Sequence, residues 1–255
     1  MLRVYLSKSR LVARVDIKNQ HVIKGIQFDG LRKLGNPNEF AKKYYLDNID
    51  EIVFMDAVAS LYDRNSLYDI IVKACSEIFI PITVGGGIRS ISDIQTILDS
   101  GADKVSINTQ AIRDPLFITR ASRVFGKQCV VGSIEAKKVG NIWEAYIDNG
   151  REKTHKNAIS WALELEKLGA GEILLTSVDT EGTQNGFDIE LINQLENKLN
   201  IPLLVSGGAG RLSHIDEVCK KCKFEGLVVG SMLHYNNSSI KGIKDVMRSN
   251  NLRVR

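Results

Sequence analysis

The stretch Ile80-Pro81-Ile82-Thr83-Val84-Gly85-Gly86-Gly87 decides the fold, because it returns as Ile201-Pro202-Leu203-Leu204-Val205-Ser206-Gly207-Gly208, 121 positions further along the chain. Each copy is a short apolar run that opens into a glycine-rich turn, a pattern typical of a buried strand and a tight connection. Such turns leave main-chain N–H groups free to bind anions at the start of the next element. Two copies in one chain indicate a ligand that carries a phosphate at each end.

The repeat extends beyond this motif. At the same offset of 121, residues 50–54 align with 171–175, and 104–107 align with 225–228. This period is far longer than the roughly 20 to 50 residues of stacked repeats, so the repeating unit is half a domain. Two halves of four strand–helix pairs predict a (β/α)8 TIM barrel built from two similar half-barrels. The 255 residues match the length of about 250 typical of that fold, and we expect one domain over residues 1–255.

Short β-branched runs alternate with amphipathic stretches, the order expected of βαβ units and a parallel sheet. Two connections are longer than a barrel needs: 18–37 after the first strand, and the hairpin-like 141–150 after the fifth. Both follow the carboxyl ends of strands, where barrel enzymes hold their sites, and the first is a candidate lid. The eight strands are predicted near residues 10–16, 51–56, 81–85, 103–107, 129–135, 172–177, 202–206 and 226–230.

Composition narrows the class of protein. The net charge of +4 is spread along the chain rather than collected in a block, which suits a small anionic substrate; we expect neither a nucleic-acid nor a membrane partner. No run reaches the roughly 18 apolar residues of a membrane span, and the first residues lack a signal-peptide core, so we expect a cytoplasmic protein. Cys219 and Cys222 have no second Cys/His pair, which favours reduced thiols over a metal site, and no cofactor is expected.

The first and fifth strands lie opposite each other in an eight-stranded barrel, and each ends in a carboxylate, Asp16 and Glu135. Two carboxylates that face each other across a mouth can divide general acid and general base work. An isolated acidic residue more often caps a loop or pairs with a cation. The matched positions in a duplicated barrel favour the catalytic interpretation.

Candidate substrate ligands cluster at the same strand ends. One glycine run would indicate only a tight turn, but two in equivalent positions favour phosphate binding. Thr176 and Asp179, at and beyond the end of the sixth strand, are placed to face the mouth. Lys24 lies in the candidate lid, where a lone lysine is usually solvated. The predicted set is Lys24, Gly86, Gly87, Asn108, Thr109, Thr176, Asp179, Gly207, Gly208, Gly230 and Ser231.

Four charged residues lie near the starts of strands and therefore at the opposite end of the barrel. They are Arg10, Glu51, Lys104 and Glu172. Their alternating signs fit a ring of ion pairs across the central bore, but solvated strand ends would show the same pattern. The pattern alone does not decide between the two.

Taken together, these motifs resemble the cyclase subunit of imidazole glycerol phosphate synthase, and the match runs nearly end to end. The residues that carry it are Val15–Lys18, Val22–Gly25, Val84–Arg89, Ala102–Thr109, Gly169–Ser177 and Ser206–Gly210. The resemblance implies a barrel that takes ammonia through its bore from a separate glutaminase subunit docked on the N-terminal face. That ammonia is added to a bisphosphorylated ribulosyl-formimino carboxamide nucleotide, which yields imidazole glycerol phosphate and aminoimidazole carboxamide ribotide.

The same resemblance implies roles for individual residues. Asp16 and Glu135 would be the acid and base, Lys24 would contact substrate, and the four charged residues at the base would form the ammonia gate. The chain offers no glutaminase nucleophile of its own, because Cys75 lies in a helical stretch and Cys129 begins a strand. A glutaminase partner is therefore expected.

Three departures from the family pattern fall near the chemistry. Glu135 stands where the family has aspartate, Gly132-Ser133 where it has small or apolar residues, and Arg14 where it typically has cysteine. An added methylene moves a carboxylate by more than about 1 Å, which can cost about a hundredfold in rate. Arg14 has the same parity as Asp16 along the strand, so it should point into the barrel and lower the pKa of Asp16 or Glu135.

These departures leave an alternative function open. Paralogues of the cyclase work beside sugar amidotransferases, where they channel ammonia for acetamidino groups on surface-glycan sugars, and their fifth strand reads Gly-Ser-Ile as residues 132–134 do here. The retained Asp16, Lys24 and phosphate turns favour the cyclase. A non-catalytic phosphate-binding barrel is a minor alternative, against which the gate residues argue.

Overall fold

The computed structural model describes residues 8–57 and 67–255. In chain order the described strands are β1 (Arg10–Lys18), β2 (His21–Ile26), β3 (Asp29–Gly35), β4 (Glu51–Asp56), β5 (Ile82–Gly85), β6 (Lys104–Ile107), β7 (Val130–Val139), β8 (Ile142–Ile147), β9 (Glu152–Asn157), β10 (Glu172–Ser177), β11 (Leu203–Ser206) and β12 (Gly226–Val229). The described helices are α1 (Pro37–Leu46), α2 (Tyr68–Glu77), α3 (Ile91–Asp99), α4 (Thr109–Arg113), α5 (Leu116–Phe125), α6 (Ala158–Leu168), α7 (Ile189–Leu195), α8 (Leu212–Lys221), α9 (Ser231–His234) and α10 (Ile240–Ser249).

Eight of these strands form a closed parallel barrel. Around the barrel their order is β1, β4, β5, β6, β7, β10, β11 and β12, and β12 pairs again with β1. Each predicted strand coincides with one of them to within a few residues, and the predicted (β/α)8 fold is confirmed. Asp16 lies beside Met55 in the β1–β4 pairing, and Glu135 lies beside Thr176 in the β7–β10 pairing, so both carboxylates end their strands at the same rim.

The two half-barrels keep the offset of 121 residues at two of their four strand pairs. Strands β4 and β10 begin 121 residues apart, as do β5 and β11, but β1 and β7 begin 120 residues apart, and β6 and β12 begin at Lys104 and Gly226, 122 residues apart. The ladder gives the same result, because Thr83 pairs with Lys104 while Leu204 pairs with Gly226. The predicted alignment of Lys104 with Glu225 is therefore wrong by one residue. A one-residue slip exchanges the two faces of a strand, so Glu225 is not the counterpart of Lys104.

Both long connections are antiparallel hairpins, placed after equivalent strands of the two halves. Strand β1 runs on to pair with β2 of the first hairpin, and β7 runs on to pair with β8 of the second. The β2–β3 hairpin lies over the mouth, where the main-chain N–H of Gln27 donates to the Glu181 carbonyl at 2.7 Å. A Cβ on Gly182 would collide with the carbonyl oxygen of Gly25, so this close approach requires glycine.

Inside the barrel, charged residues at the base are followed by an apolar layer and then by a polar mouth. The apolar layer is a separate buried cluster of Val12, Val53, Met55, Val131, Leu174, Leu204 and Val228. The main core lies between barrel and helices and includes the fully buried Tyr44, Phe54, Phe117 and Trp161. Among the described helices none is long and apolar enough to cross a membrane.

The four cysteines are free thiols. Cys219 lies in α8 and Cys222 directly follows that helix, and burial raises the pKa of each thiol to about 12. Thiols with so high a pKa are poor nucleophiles and poor metal ligands. Over residues 8–57 and 67–255, no group of His, Cys, Asp and Glu side chains is arranged to hold a metal ion.

Candidate active site

Asp16 lies at the mouth end of β1 with both carboxylate oxygens occupied. Arg14 Nε donates to its Oδ1 at 2.7 Å, and Lys24 Nζ donates to its Oδ2 at 2.9 Å. Burial alone would raise the pKa of Asp16, but the charges of Arg14 and Lys24 outweigh it and hold the pKa far below its usual value. Asp16 is therefore ionised throughout the neutral range.

Glu135 lies across the mouth at the end of the β7 barrel segment and is also buried. Its Oε2 accepts a hydrogen bond from the Gly150 N–H at 2.7 Å. Burial raises the pKa of Glu135 to about 7, although the charge of Arg14 and the Gly150 hydrogen bond act in the opposite direction. The site therefore holds one carboxylate that is always ionised and one that exchanges its proton near neutral pH, a pairing that separates base from acid.

Arg14 points into the barrel, as its parity predicts. Besides Asp16, its guanidinium donates from Nη1 to Thr176 Oγ1 at 3.0 Å, and its Cζ lies 5.3 Å from the centre of the Phe28 ring. The prediction that Arg14 lowers a carboxylate pKa is confirmed for Asp16. For Glu135 the net shift is upward, because desolvation outweighs the charge of Arg14.

Lys24 is 4% exposed, so it is not the solvated loop lysine that the pattern alone suggested. The β2–β3 hairpin carries it over the mouth, where Nζ bonds both Asp16 and the carboxylate of Glu181. Sequence reasoning missed Glu181; its only signal was a second carboxylate two residues after Asp179. Arg14, Asp16, Lys24, Glu135 and Glu181 together form what we call the mouth cluster.

The first glycine turn opens onto a cavity at the rim. Gly86 and Gly87 both have positive φ angles, of 99° and 70°, and a Cβ on Gly86 would collide with the carbonyl of Asp56. Only glycine fits this approach. The predicted ligands Gly86, Gly87, Asn108 and Thr109 line the cavity together with Glu135, Arg89, Arg113 and Asn149. The structure thus brings the first predicted phosphate turn and one predicted catalytic residue into one space.

Polar groups in this cavity fit a polar ligand. The Oδ1 of Asn108 and the Nδ2 of Asn149 are buried and have no hydrogen-bond partner. Burying a polar group without a partner is costly, so such atoms indicate a ligand that supplies one. Arg113, whose Nη2 lies 3.2 Å from Asp148 Oδ2, places a positive charge at the same wall. Sequence reasoning missed Arg113 and Asn149, since neither belongs to a glycine turn.

The second glycine turn repeats this geometry. Gly207 and Gly208 have φ angles of 103° and 101°, and a Cβ on Gly208 would collide with the carbonyl of Gly186. Gly230 has nearly the same backbone angles as Asn108. Its φ and ψ are −124° and −78°, and those of Asn108 are −116° and −82°. Each of the two residues immediately precedes a short helix. A Cβ on Gly230 would lie 3.2 Å from Lys24 Nζ. The end of β12, with Gly230 and the buried Ser231, therefore adjoins the mouth cluster.

The predicted ligands Thr176 and Asp179 are both hydrogen-bonded to other parts of the protein. Thr176 holds Arg14, as described above. The Oδ2 of Asp179 accepts from the Lys138 N–H at 2.7 Å, and its carbonyl accepts from Gln27 Nε2 at 2.9 Å, so Asp179 ties both hairpins to the loop after β10. Their roles as substrate ligands remain predictions.

At the other end of the barrel the four predicted gate residues meet in a closed ring, which we call the base ring. Arg10 bonds Glu51 at 2.8 Å and also bonds Glu172, while Lys104 lies 3.2 Å from Glu51 and 3.1 Å from Glu172. The two cation side chains keep 15% and 16% of their surface exposed. Of the two interpretations left open by the sequence, the structure supports the ring.

Fold and site together define a class: a (β/α)8 barrel enzyme with two buried carboxylates at the mouth and two equivalent glycine turns at the strand ends. The model of the family described as "Histidine biosynthesis protein" matches residues 10–239. The chain belongs to this family of histidine biosynthesis enzymes, in the branch of the HisF subunit of imidazole glycerol phosphate synthase.

Three relatives, each named "Imidazole glycerol phosphate synthase subunit HisF", place it there. The protein of Legionella pneumophila is 52% identical over 212 residues, which is 83% of this chain and 100% of the relative. That of Lactococcus lactis subsp. cremoris (strain MG1363) is 46% identical over 248 residues, 96% of each chain. That of Dehalococcoides mccartyi (strain BAV1) is 42% identical over 246 residues, 96% of this chain and 97% of the relative. These likenesses support the cyclase and do not favour the glycan-pathway paralogue.

Proposed function

We propose that this chain uses ammonia to convert the bisphosphorylated ribulosyl-formimino carboxamide nucleotide into imidazole glycerol phosphate and aminoimidazole carboxamide ribotide. The observation that carries the proposal is the pair of buried carboxylates, one ionised and one proton-exchanging, placed between two equivalent glycine turns. A substrate with a phosphate at each end spans such a site, and its reactive middle lies over the carboxylates. We expect the reaction to take place in the cytoplasm.

The two carboxylates take different parts in the reaction. When ammonia adds to a carbonyl carbon, the nitrogen must lose protons and the carbonyl oxygen must gain them before it leaves as water, so one acceptor and one donor are needed. Glu135, with a pKa of about 7, donates a proton to the oxygen that leaves as water. Asp16, which is ionised at all neutral pH values, accepts a proton from the nitrogen.

Asp16 is a weak base while both of its oxygens are bound to cations. Lys24 is the cation that can leave, because it is carried by the hairpin and lies beside Gly230, a predicted phosphate ligand at the end of β12. A phosphate bound there would attract Lys24 and free Oδ2 of Asp16. Substrate binding then prepares the base, and the resting site stays unreactive without it.

Ammonia reaches the site through the bore from a glutaminase subunit that docks on the N-terminal face. The base ring supports this assignment, since it closes the bore with ion pairs that are only partly shielded from solvent. Above it lies the apolar layer, through which a small neutral molecule passes more readily than an ion. Docking at the base would rearrange the ring and admit ammonia.

The test is turnover of the isolated chain with excess ammonium and the bisphosphorylated substrate, beside the variant Glu135→Asp. We expect the native chain to release both products, because Glu135 is buried and positioned by Gly150. The shorter Asp side chain should lose activity, since it cannot keep that position. A silent native chain with an active Glu135→Asp variant would contradict the proposal and would show that cyclisation has been given up at this residue.

A further inference from the structure

Two arginines of β1 cross the bore to the same opposite strand. Arg10 and Arg14 lie four residues apart with the same parity, and both reach β10: Arg10 bonds Glu172, and Arg14 donates to Thr176 at 3.0 Å. Strands β11 and β12 separate β1 from β10 on the shorter way round the barrel. A side chain that joins β1 to β10 therefore spans the interior. Arg10 does so at the base, and Arg14 does so at the mouth.

The space between the two crossings is the apolar layer, to which Val12 of β1 contributes between the two arginines. Ammonia that has passed the base ring and this layer next meets the guanidinium of Arg14. That group is 2% exposed and is held from three directions by Asp16, Thr176 and the face of the Phe28 ring. Its planar fork and permanent charge suit it to fill such a crossing, which a lysine would fill poorly.

The attachments of Arg14 depend on the hairpin. Phe28 lies in the turn between β2 and β3, and Asp16 shares its carboxylate with Lys24 of β2. When the hairpin moves, Arg14 loses the ring that covers it, and the charge balance at Asp16 changes. The position of Arg14 is thus tied to the element that covers the substrate.

We propose that Arg14 is the exit gate of the bore: its guanidinium narrows the mouth end and stays a partial barrier to ammonia even when substrate and hairpin draw it aside. The inference rests on the proposed delivery of ammonia through the bore. Arg14 is a positioning residue in this scheme and takes no part in bond making. Its fixed positive charge also repels ammonium, so the passage favours neutral ammonia.

The experiment compares two ammonia sources in the complex with the glutaminase. Glutamine supplies ammonia through the bore, whereas external ammonium without glutamine supplies it from the solvent at the mouth. The variant Arg14→Met removes the charge and both hydrogen bonds but keeps an unbranched side chain. Any damage to the chemistry lowers both rates alike, so the ratio of glutamine-dependent to ammonium-dependent kcat isolates the passage.

We expect Arg14→Met to raise this ratio about tenfold, because the barrier lies only on the bore route. The matched control is Arg113→Met, the same substitution at a cation that lines the rim cavity without crossing the bore; its ratio should stay at the native value. Thr176→Val, which removes only the hydrogen bond at the far end of the guanidinium, should raise the ratio by a smaller factor. It replaces Arg14→Met as the test variant if Arg14→Met does not fold. An unchanged ratio in the Arg14 and Thr176 variants overturns the gate.

The native complex separates this inference from the partner assignment. If it uses ammonium but not glutamine, the glutaminase assignment fails, and the gate fails with it because no ammonia travels along the bore. If it uses both sources and the ratio is unchanged in Arg14→Met and Thr176→Val, only the gate fails. Absence of turnover with either source overturns both proposals.

Discussion

The two ends of the bore hold similar charged residues, but only one end has equal numbers of cations and carboxylates. The base ring pairs two cations with two carboxylates, and every member bonds two others. The mouth cluster pairs two cations with three carboxylates, and its members are almost completely buried. Within the base ring every charge is matched. At the mouth one carboxylate is left without a cation of its own, and Glu135 is that residue.

Under the proposed function, the barrel separates gating at the base from chemistry at the mouth. A balanced ring can open and close by breaking and re-forming its ion pairs. A buried cluster with one excess carboxylate must hold a proton near neutral pH, and that proton is available for transfer.

Replacing Asp16 by asparagine should give the largest effect. The change removes the base and leaves Arg14 and Lys24 without their shared counter-charge, so we expect kcat with ammonium to fall about a thousandfold. Breaking a buried ion pair should also lower the free energy of unfolding by about 3 kcal/mol. Steady-state kinetics and denaturant titration measure the two effects.

The matched control is Asp50→Asn, which breaks another buried ion pair, between Asp50 and Lys244 at 2.6 Å, away from the mouth. It should lower stability by a similar amount and leave ammonium-dependent kcat of the folded protein nearly intact. Equal loss of activity in both variants would show that the Asp16 effect is one of folding and would remove the case for a base.

The proton on Glu135 should appear in the pH dependence of the rate. With a pKa of about 7 in the folded site, Glu135 is protonated below that pH and loses its proton above it. As the general acid it should therefore make kcat fall above about pH 7, by about tenfold per unit. Glu135→Gln should lower kcat about a hundredfold and abolish this limb. A rate that rises through pH 7 would instead assign Glu135 as the base.

The same proton should make stability depend on pH. The pKa of Glu135 is higher in the folded protein than in the unfolded chain, so the folded state binds the proton more tightly. The resulting contribution to stability is complete below about pH 4 and is lost by about pH 8. Glu135→Gln carries no such proton. Relative to the native chain, its free energy of unfolding should rise by up to about 3 kcal/mol between these limits. A constant difference across the range would contradict the raised pKa.

Much of this arrangement could be predicted from the sequence, because it follows from the alternation of strands and helices and from the 121-residue repeat. Strand ends place Asp16 and Glu135 at one rim and the base residues at the other, whichever side chains surround them. The offset between β6 and β12 could not be predicted, because the connection between β11 and β12 is one residue longer than the one between β5 and β6. A charged residue lies at the start of each strand, since Lys104 begins β6 and Glu225 directly precedes β12, so the two residues align in the sequence. An apolar pattern of four residues does not fix such a boundary.

The missing residues of the site share a different cause. Glu181 meets Lys24 across 157 positions of the chain, and only the docked hairpin brings them together. Arg113 and Asn149 reach the rim cavity from α4 and from the turn between β8 and β9. Such contacts depend on how loops pack over the barrel, and no local pattern of the chain encodes that packing.

The smallest effect on chemistry should come from the base ring. Lys104→Met leaves two carboxylates with only Arg10 between them, so the ring acquires a net negative charge and should hold ammonium instead of passing ammonia. In the complex we expect a clear fall in glutamine-dependent turnover, with ammonium-dependent kcat within about twofold of native, the range of a change remote from the reacting atoms. The variant Lys138→Met, which removes an exposed lysine at the mouth end, controls for the loss of charge and should change neither rate. A parallel loss of both rates in Lys104→Met would mean that the base ring acts on the chemistry, and the separation between the two ends of the bore would not hold.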